Sequence, residues 1–164
     1  MSKILAIITD PNDILRKKSV VFDKKQIGSK ETKILCAAMS KTMLAKDGIG
    51  LAAPQIGKNV RLAVINTKNG RIFLINPKIT KKSLLKEWGE EGCLSVPGVF
   101  GQVKRHKKIT CEYLDQKSVE NAIKAEGLLA RVIQHEIDHL DGILFIDKAK
   151  NLKHDRITTL PKGA

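Results

Sequence analysis

Residues 135–139 read His-Glu-Ile-Asp-His, with Leu128-Leu129-Ala130 and Val132-Ile133 before them and Leu140 after. This segment constrains the fold more than any other. Four residues advance about 400° around a helix of about 3.6 residues per turn, so His135 and His139 stand nearly one above the other. The apolar flanks put that helix in the interior, where imidazoles are costly to bury without partners or a metal. Two rings reaching one ion, with Glu136 between them to handle a bound water, form the arrangement of a metal-dependent hydrolase. The competing reading is a surface helix carrying two exposed histidines and an acidic pair. The apolar flanks argue against it.

With 164 residues the chain is most simply one domain, long enough to build a core. A hydrophobic share of 42 % excludes global disorder. Thirty Lys and Arg against seventeen Asp and Glu give +13 and a pI near 9.8. That balance suits polyanionic surroundings such as nucleic acid, the ribosome or an acidic membrane surface, and equally a solvated soluble surface. The basic residues come in short scattered groups: Arg16-Lys17-Lys18, Lys24-Lys25, Lys81-Lys82, Lys104-Arg105 and Lys107-Lys108. Aromatic residues are 4 %, which poorly supports a stacking platform for single strands, and no specific nucleic-acid partner is expected. The apolar run Ile4–Ile8 is too short for a signal peptide, and no later segment is long enough to span a membrane. A cytoplasmic location is expected, or an organellar one if a targeting peptide has been removed. Cys36, Cys93 and Cys111, an odd number, do not form a disulfide framework.

Along the chain, Asp10-Pro11 opens a helical turn through Leu15, with Asp10 as cap and Pro11 at the first helical position. Ile34, Leu35, Ala38, Met39 and Met43 recur at helical spacing between Glu31 and Ala45, where Cys36 and Met39 serve as core filler. A glycine-rich segment, 47–57, follows. Val60-Leu62-Val64 and Ile72-Leu74 alternate around Asn69-Gly70, the signature of a hairpin. Ile109, Cys111 and Tyr113 alternate in a later strand, and a turn near Asp115-Gln116 returns the chain as another. The motif helix then runs from about Glu126 to Leu140 and stops at Asp141-Gly142. The expected fold is α+β, with antiparallel β-sheets packed around a central helix that carries the motif. Residues 1–147 form a single catalytic domain, and 148–164 a short basic tail.

Catalytic zinc-like sites take three protein ligands and one water, so a third ligand is needed. An acidic residue, another histidine or a cysteine would serve. His106 lies in the basic run Lys104–Lys108 and His154 in a charged stretch, so both read as surface histidines. Cys93 stands between glycines in Gly89-Glu90-Glu91-Gly92-Cys93-Leu94-Ser95-Val96-Pro97-Gly98, where the backbone can approach an ion closely. Cys93 and His135 are far apart in sequence, so spacing leaves the choice open.

Three segments carry a resemblance: Gly48-Ile49-Gly50-Leu51-Ala52-Ala53-Pro54-Gln55, Glu91-Gly92-Cys93-Leu94-Ser95 and His135-Glu136-Ile137-Asp138-His139. In that order they resemble the signature motifs of peptide deformylases, and the similarity extends over roughly residues 5–147. The resemblance implies a hydrolase that removes the formyl group from the initiator formyl-methionine of nascent chains and releases formate. It implies that Cys93, His135 and His139 hold one divalent metal, ferrous iron physiologically, with zinc, nickel or cobalt able to replace it. Glu136 would carry protons, while the Gln55 amide and the Leu94 N–H would face the oxyanion. Ile49 and Val132 match the methionine pocket, although plain core packing is the competing reading for both. Gly50 with Ile49 would pair with the extended substrate, and Gly92 lies at the same site.

Some family members carry an arginine shortly after the Cys-Leu-Ser motif, whereas Phe100 stands in that region here. Others continue into a long basic helix that docks on the ribosome. Here Lys148, Lys150, Lys153 and Arg156 are basic, but Pro161 ends any helix, so ribosome contact would fall to the basic surface generally. Nascent formyl-methionyl peptides are the expected partner, without membrane association. Two other readings rank behind: a basic ribosome- or RNA-associated module with a structural metal, and a metallopeptidase using the same helix.

Overall fold

Ser29 opens the first long helix, α1 (Lys30–Ala45), by accepting the Thr32 N–H on its hydroxyl at 3.1 Å. The helix buries Cys36, Met39 and Met43 against Leu51, Leu62, Val64 and Ile75. Those partners belong to an antiparallel five-stranded sheet. In chain order its strands are β1 (Gly50–Ala52), β2 (Leu62–Thr67), β3 (Gly70–Lys82), β6 (Lys108–Leu114) and β7 (Glu120–Glu126), and in space they keep that order. The structure is a computed structural model and describes residues 3–155.

The opposite face of the sheet carries Ile65, Leu74, Ile109 and Cys111, which pack on Ala130, Ile133 and Ile137 of α2 (Gly127–Leu140). β2 is therefore buried on both faces, with Leu62 and Val64 toward α1 and Ile65 toward α2. A second sheet, in the order β4 (Lys86–Cys93), β5 (Val96–His106) and β8 (Lys150–His154), covers the far side of α2. Val96 and Val103 of that sheet pack with Leu15, Leu144 and Phe145. The motif helix thus runs between two antiparallel sheets, and the fold is α+β as expected. None of the described helices is long and apolar enough to cross a membrane.

Gly142 shows why α2 ends where it does. Its φ of +76° is the left-handed conformation of a helix stop. A side chain there would also collide with the backbone of Arg16, which passes against the helix end.

Several local expectations change. The N-terminal turn is a 3-10 helix over Asp13–Arg16 capped by Asn12, whose side chain accepts the Ile14 N–H at 3.1 Å, so Asp10 is not the cap. The hairpin loop is Lys68-Asn69, because Gly70 already pairs with Thr67, and Val60 makes only an isolated bridge to Val20 outside β2. Arg105, placed by the sequence in a scattered basic group, is buried at 4 % exposure. His106 is half-buried, its Nδ1 2.7 Å from the Ser83 carbonyl oxygen. Within the stretch read as a tail, Lys150–His154 forms a strand beside β5. The expectations about Arg156 and Pro161 lie outside the described residues.

Candidate active site

His135 and His139 share one face of α2, with ring centroids 4.9 Å apart. Cys93, at the end of β4, meets them from the second sheet. A register shift between Gly92 and Cys93, followed by the tight turn at Leu94-Ser95, aims the cysteine at the helix. The ligand atoms of Cys93, His135 and His139 lie within 4.8 Å of one another, and Cys93 Sγ is 3.2 Å from His139 Nε2. Two further donors face the sulfur, the Ser95 N–H and Gln55 Nε2, each at 3.4 Å. Gln55 is buried on a 3-10 turn after β1, where its Oε1 accepts the Ala52 N–H at 2.9 Å and its Nε2 also reaches Ser95 Oγ at 3.2 Å.

Behind this trio stands a buried ionic network. His135 Nδ1 pairs with Glu91 Oε2 at 2.9 Å, which leaves Nε2 to face the cleft. Arg105 grips both Glu91 oxygens at 2.9 Å, and Arg131 donates to Oε1 at 2.9 Å. Arg105 continues to Asp138, which accepts from Lys148 at 2.8 Å. Burial would raise the Glu91 carboxyl pKa, but hydrogen bonds from Arg105 and His135 hold it well below the usual carboxylate range.

The environments of the three motif residues differ. Burial holds His139 neutral, so one ring nitrogen keeps a lone pair, and Nε2 is the nitrogen that faces Cys93. Burial opposes charge on His135, yet Cys93 and Glu91 beside it push its pKa up to about 10. Burial lifts the Glu136 carboxyl to about 7, and its Oε2 has no hydrogen-bond partner among the described residues. A sulfur and two imidazoles are a donor set that fits a divalent transition metal, and Cys93 and His135 both line the neighbouring cleft.

That cleft, of about 570 Å³, is lined by Cys93, Leu94, His135 and Glu136, with Gln55 at its wall. Ile49, Gly50, Gly92 and Val132 line it as well, and His139 lies behind it. A Cβ on Gly50 would overlap the Glu136 carboxylate, lying 2.8 Å from its Cδ, so only glycine allows β1 to pass this close. Leu128 and Phe100 complete the rim. Sequence reasoning missed Leu128 and both buried arginines. An arginine inside the apolar run around 131 was the available signal, whereas the basic neighbours of Arg105 hid it.

Residues 4–155 match the polypeptide deformylase family. The chain belongs to that family. It is 46 % identical over 154 residues to the peptide deformylase of Syntrophomonas wolfei, covering 94 % of this chain and 99 % of that one. A peptide deformylase of Synechococcus elongatus, solved in complex with actinonin, superposes with a TM-score of 0.84 at 38 % identity, over 92 % of this chain and 84 % of that one. The class I type b peptide deformylase of Acinetobacter baumannii, solved with Met-Ala-Ser bound, gives 0.86 at 33 % identity, over 90 % and 99 %. Peptide deformylases are metal-dependent hydrolases that remove the N-formyl group from nascent formyl-methionyl peptides, and this is the activity of the chain.

Proposed function

We propose that Cys93, His135 and His139 hold one divalent ion and that Glu136, Gln55 and Leu94 carry the deformylation. The observation that carries this reading is the convergence of the three ligand atoms beside a buried carboxylate whose Oε2 has no partner among the described residues. When bound, the ion supplies a Lewis acid and lowers the pKa of water at its open position.

Glu136 takes the proton from the water that attacks the formyl carbon. Burial favours the protonated form of Glu136, which suits it to hold that proton until the nitrogen departs. As the carbonyl oxygen gains charge, the Gln55 amide and the Leu94 N–H donate to it. The C–N bond then breaks, Glu136 delivers its proton to the departing nitrogen, and formate and a free amine leave. Glu91 keeps His135 in the tautomer whose Nε2 faces the cleft.

The peptide itself lies extended along β1. Among the described residues that strand is paired on one side only, by β2, so its other edge would accept a substrate strand through Ile49 and Gly50. Gly92 gives the substrate room opposite, and Val132 with Ile49 receives the methionine side chain. Exclusion of bulk at the ion discriminates formyl from acetyl, since one methyl offers only about 1–3 kcal/mol in an apolar pocket.

Ferrous iron is the physiological ion in this reading, with zinc, nickel or cobalt able to substitute. The protein acts in the cytoplasm without membrane association, and touches ribosomes transiently through its basic surface. The test is formate release from a formyl-methionyl peptide by metal-loaded protein. Glu136→Ala is expected to lower kcat by at least about a hundredfold while the ion stays bound. A variant as active as wild type would overturn the role of Glu136.

A further inference from the structure

A second cleft, of about 490 Å³, opens on a different face of α2, bounded by Gln134, Ile137, Asp138 and Asp141 with parts of β3, β4 and β5. Its charge is lopsided. Lys78, Lys82, Lys86 and Lys104 line it, are all exposed, and form no ion pair among the described residues. The acidic groups there are already matched, Asp141 by Arg61 at 2.7 Å and Asp138 by Arg105 and Lys148. Four unmatched cations around one concavity will draw and hold anions.

An aromatic ring stands beside the cleft. On β4 the period-two alternation puts Trp88 on the same outer face as Lys86, and Trp88 pairs across the strands with Lys104. Trp88 is the only tryptophan of the chain and is 47 % exposed. Lys104 Nζ lies 5.8 Å and Lys150 Nζ 5.4 Å from its ring. Lys104 therefore belongs both to the cleft and to the aromatic cluster. An exposed indole among lysines offers a stacking face and phosphate partners together, the chemistry by which single-stranded nucleic acid is held. A low aromatic share argues against a platform running along a strand, but one indole suffices for one base. The concave shape favours a narrow backbone over a flat lipid surface.

We propose that this cleft and Trp88 form a docking surface for single-stranded RNA. Its phosphates would be held by Lys78, Lys82, Lys86 and Lys104, with one base stacked on the indole. The site grips backbone and reads no sequence. It rests on the ribosome contact proposed above for its partner, and its geometry is separate from the deformylase site.

The test titrates the full-length, metal-loaded protein with short oligouridine at low salt. Fluorescence reports Trp88 directly, and anisotropy of labelled RNA reports binding. Binding is expected to quench Trp88, to be lost steeply with salt, and to change slope by about 2 in the Lys82→Ala, Lys86→Ala, Lys104→Ala triple variant. Trp88→Leu is expected to weaken binding about tenfold, with partial recovery in Trp88→Phe. A control triple of equal charge, Lys25→Ala, Lys33→Ala, Lys58→Ala, is expected to bind nearly as wild type. Formate release from a free formyl peptide should stay unchanged in all of these, so failure here is separable from failure of the catalytic reading. The proposal is overturned by absence of binding at low salt, by binding without quenching, or by equal losses in the control triple. Binding to phosphatidylglycerol vesicles with the same lysine and tryptophan dependence, in preference to RNA, would also overturn it.

Discussion

Glu91 Oε2 sits 2.9 Å from His135 Nδ1, at the end of a buried chain that runs through Arg105 to Asp138. This contact links the second sheet to the motif helix and fixes which imidazole nitrogen faces the cleft. In Glu91→Gln the charge behind His135 is lost and the Arg105 fork loses its two-pronged carboxylate, keeping only Asp138. Metal affinity is expected to fall about 10–100-fold, read by competition with a chromogenic chelator, while kcat at saturating metal changes less. Unchanged affinity would count against the orienting role.

Arg105 is 4 % exposed and joins two carboxylates that no other single residue bridges among the described residues. Arg105→Met removes the two-pronged contact with Glu91 and the link to Asp138 from a nearly dry interior, with Arg131 and Lys148 only partly offsetting the two charges. A loss of about 3–5 kcal/mol in denaturant unfolding is expected. Arg105→Lys should not restore it, because an ammonium cannot make the two-pronged contact with Glu91. Lys148→Ala, at the exposed end of the chain, should cost under about 1 kcal/mol.

Gly50→Ala puts a methyl where the Glu136 carboxylate now lies. Displacing the proton carrier by about 1 Å is expected to lower kcat about a hundredfold with a smaller change in KM. Gly48→Ala is the comparison. Its nearest neighbour would be the flexible Leu94 side chain at 3.2 Å, so steady-state kinetics should show a milder defect.

Cys111 is buried between the large sheet and α2, and burial pushes its thiol up to about 11 from 9.0. Between those values the folded protein binds the proton more tightly than the unfolded chain. The associated stability is complete below about pH 9 and is lost as pH rises toward 11. Denaturant unfolding should show a decline of about 2 kcal/mol across that window. Cys111→Ala should decline less steeply, and an identical slope would exclude Cys111 as the cause.

Removing the ion should abolish formate release and lower the unfolding temperature. Both should return on adding a divalent metal, because a ligand that binds only the folded state stabilises it by mass action. Calorimetry of chelated and reloaded protein checks this. Cys93→Ser should show the low unfolding temperature under both conditions.

Much of the fold was legible because its elements carry strong periodic signals. The four-residue spacing of Leu35, Met39 and Met43 marked α1, while Ile34 of the same pattern lies exposed, and the alternation of Ile109, Cys111 and Tyr113 marked β6. β4 was illegible, since Lys86-Glu87-Trp88-Gly89-Glu90-Glu91 lacks an apolar face. Its inner side instead buries Glu91 against Arg105 and Arg131, so charge pairing replaces hydrophobic burial there. That substitution also explains why Arg105 read as a surface residue. Asn12 displaced Asp10 as cap because its side chain, two residues nearer the 3-10 turn, reaches the Ile14 N–H.

By itself the sequence determined that a buried helix presents two histidines and a glutamate, because helical geometry alone stacks residues four apart. It also determined, through three motifs in order, the reaction that such a helix serves. Tertiary structure alone decided what meets that helix. The β4 irregularity brings Cys93 across to His139, the Gly50 backbone passes against Glu136, and Glu91 reaches His135 with two arginines behind it. These contacts join residues distant along the chain, and packing between two sheets sets them rather than any local period.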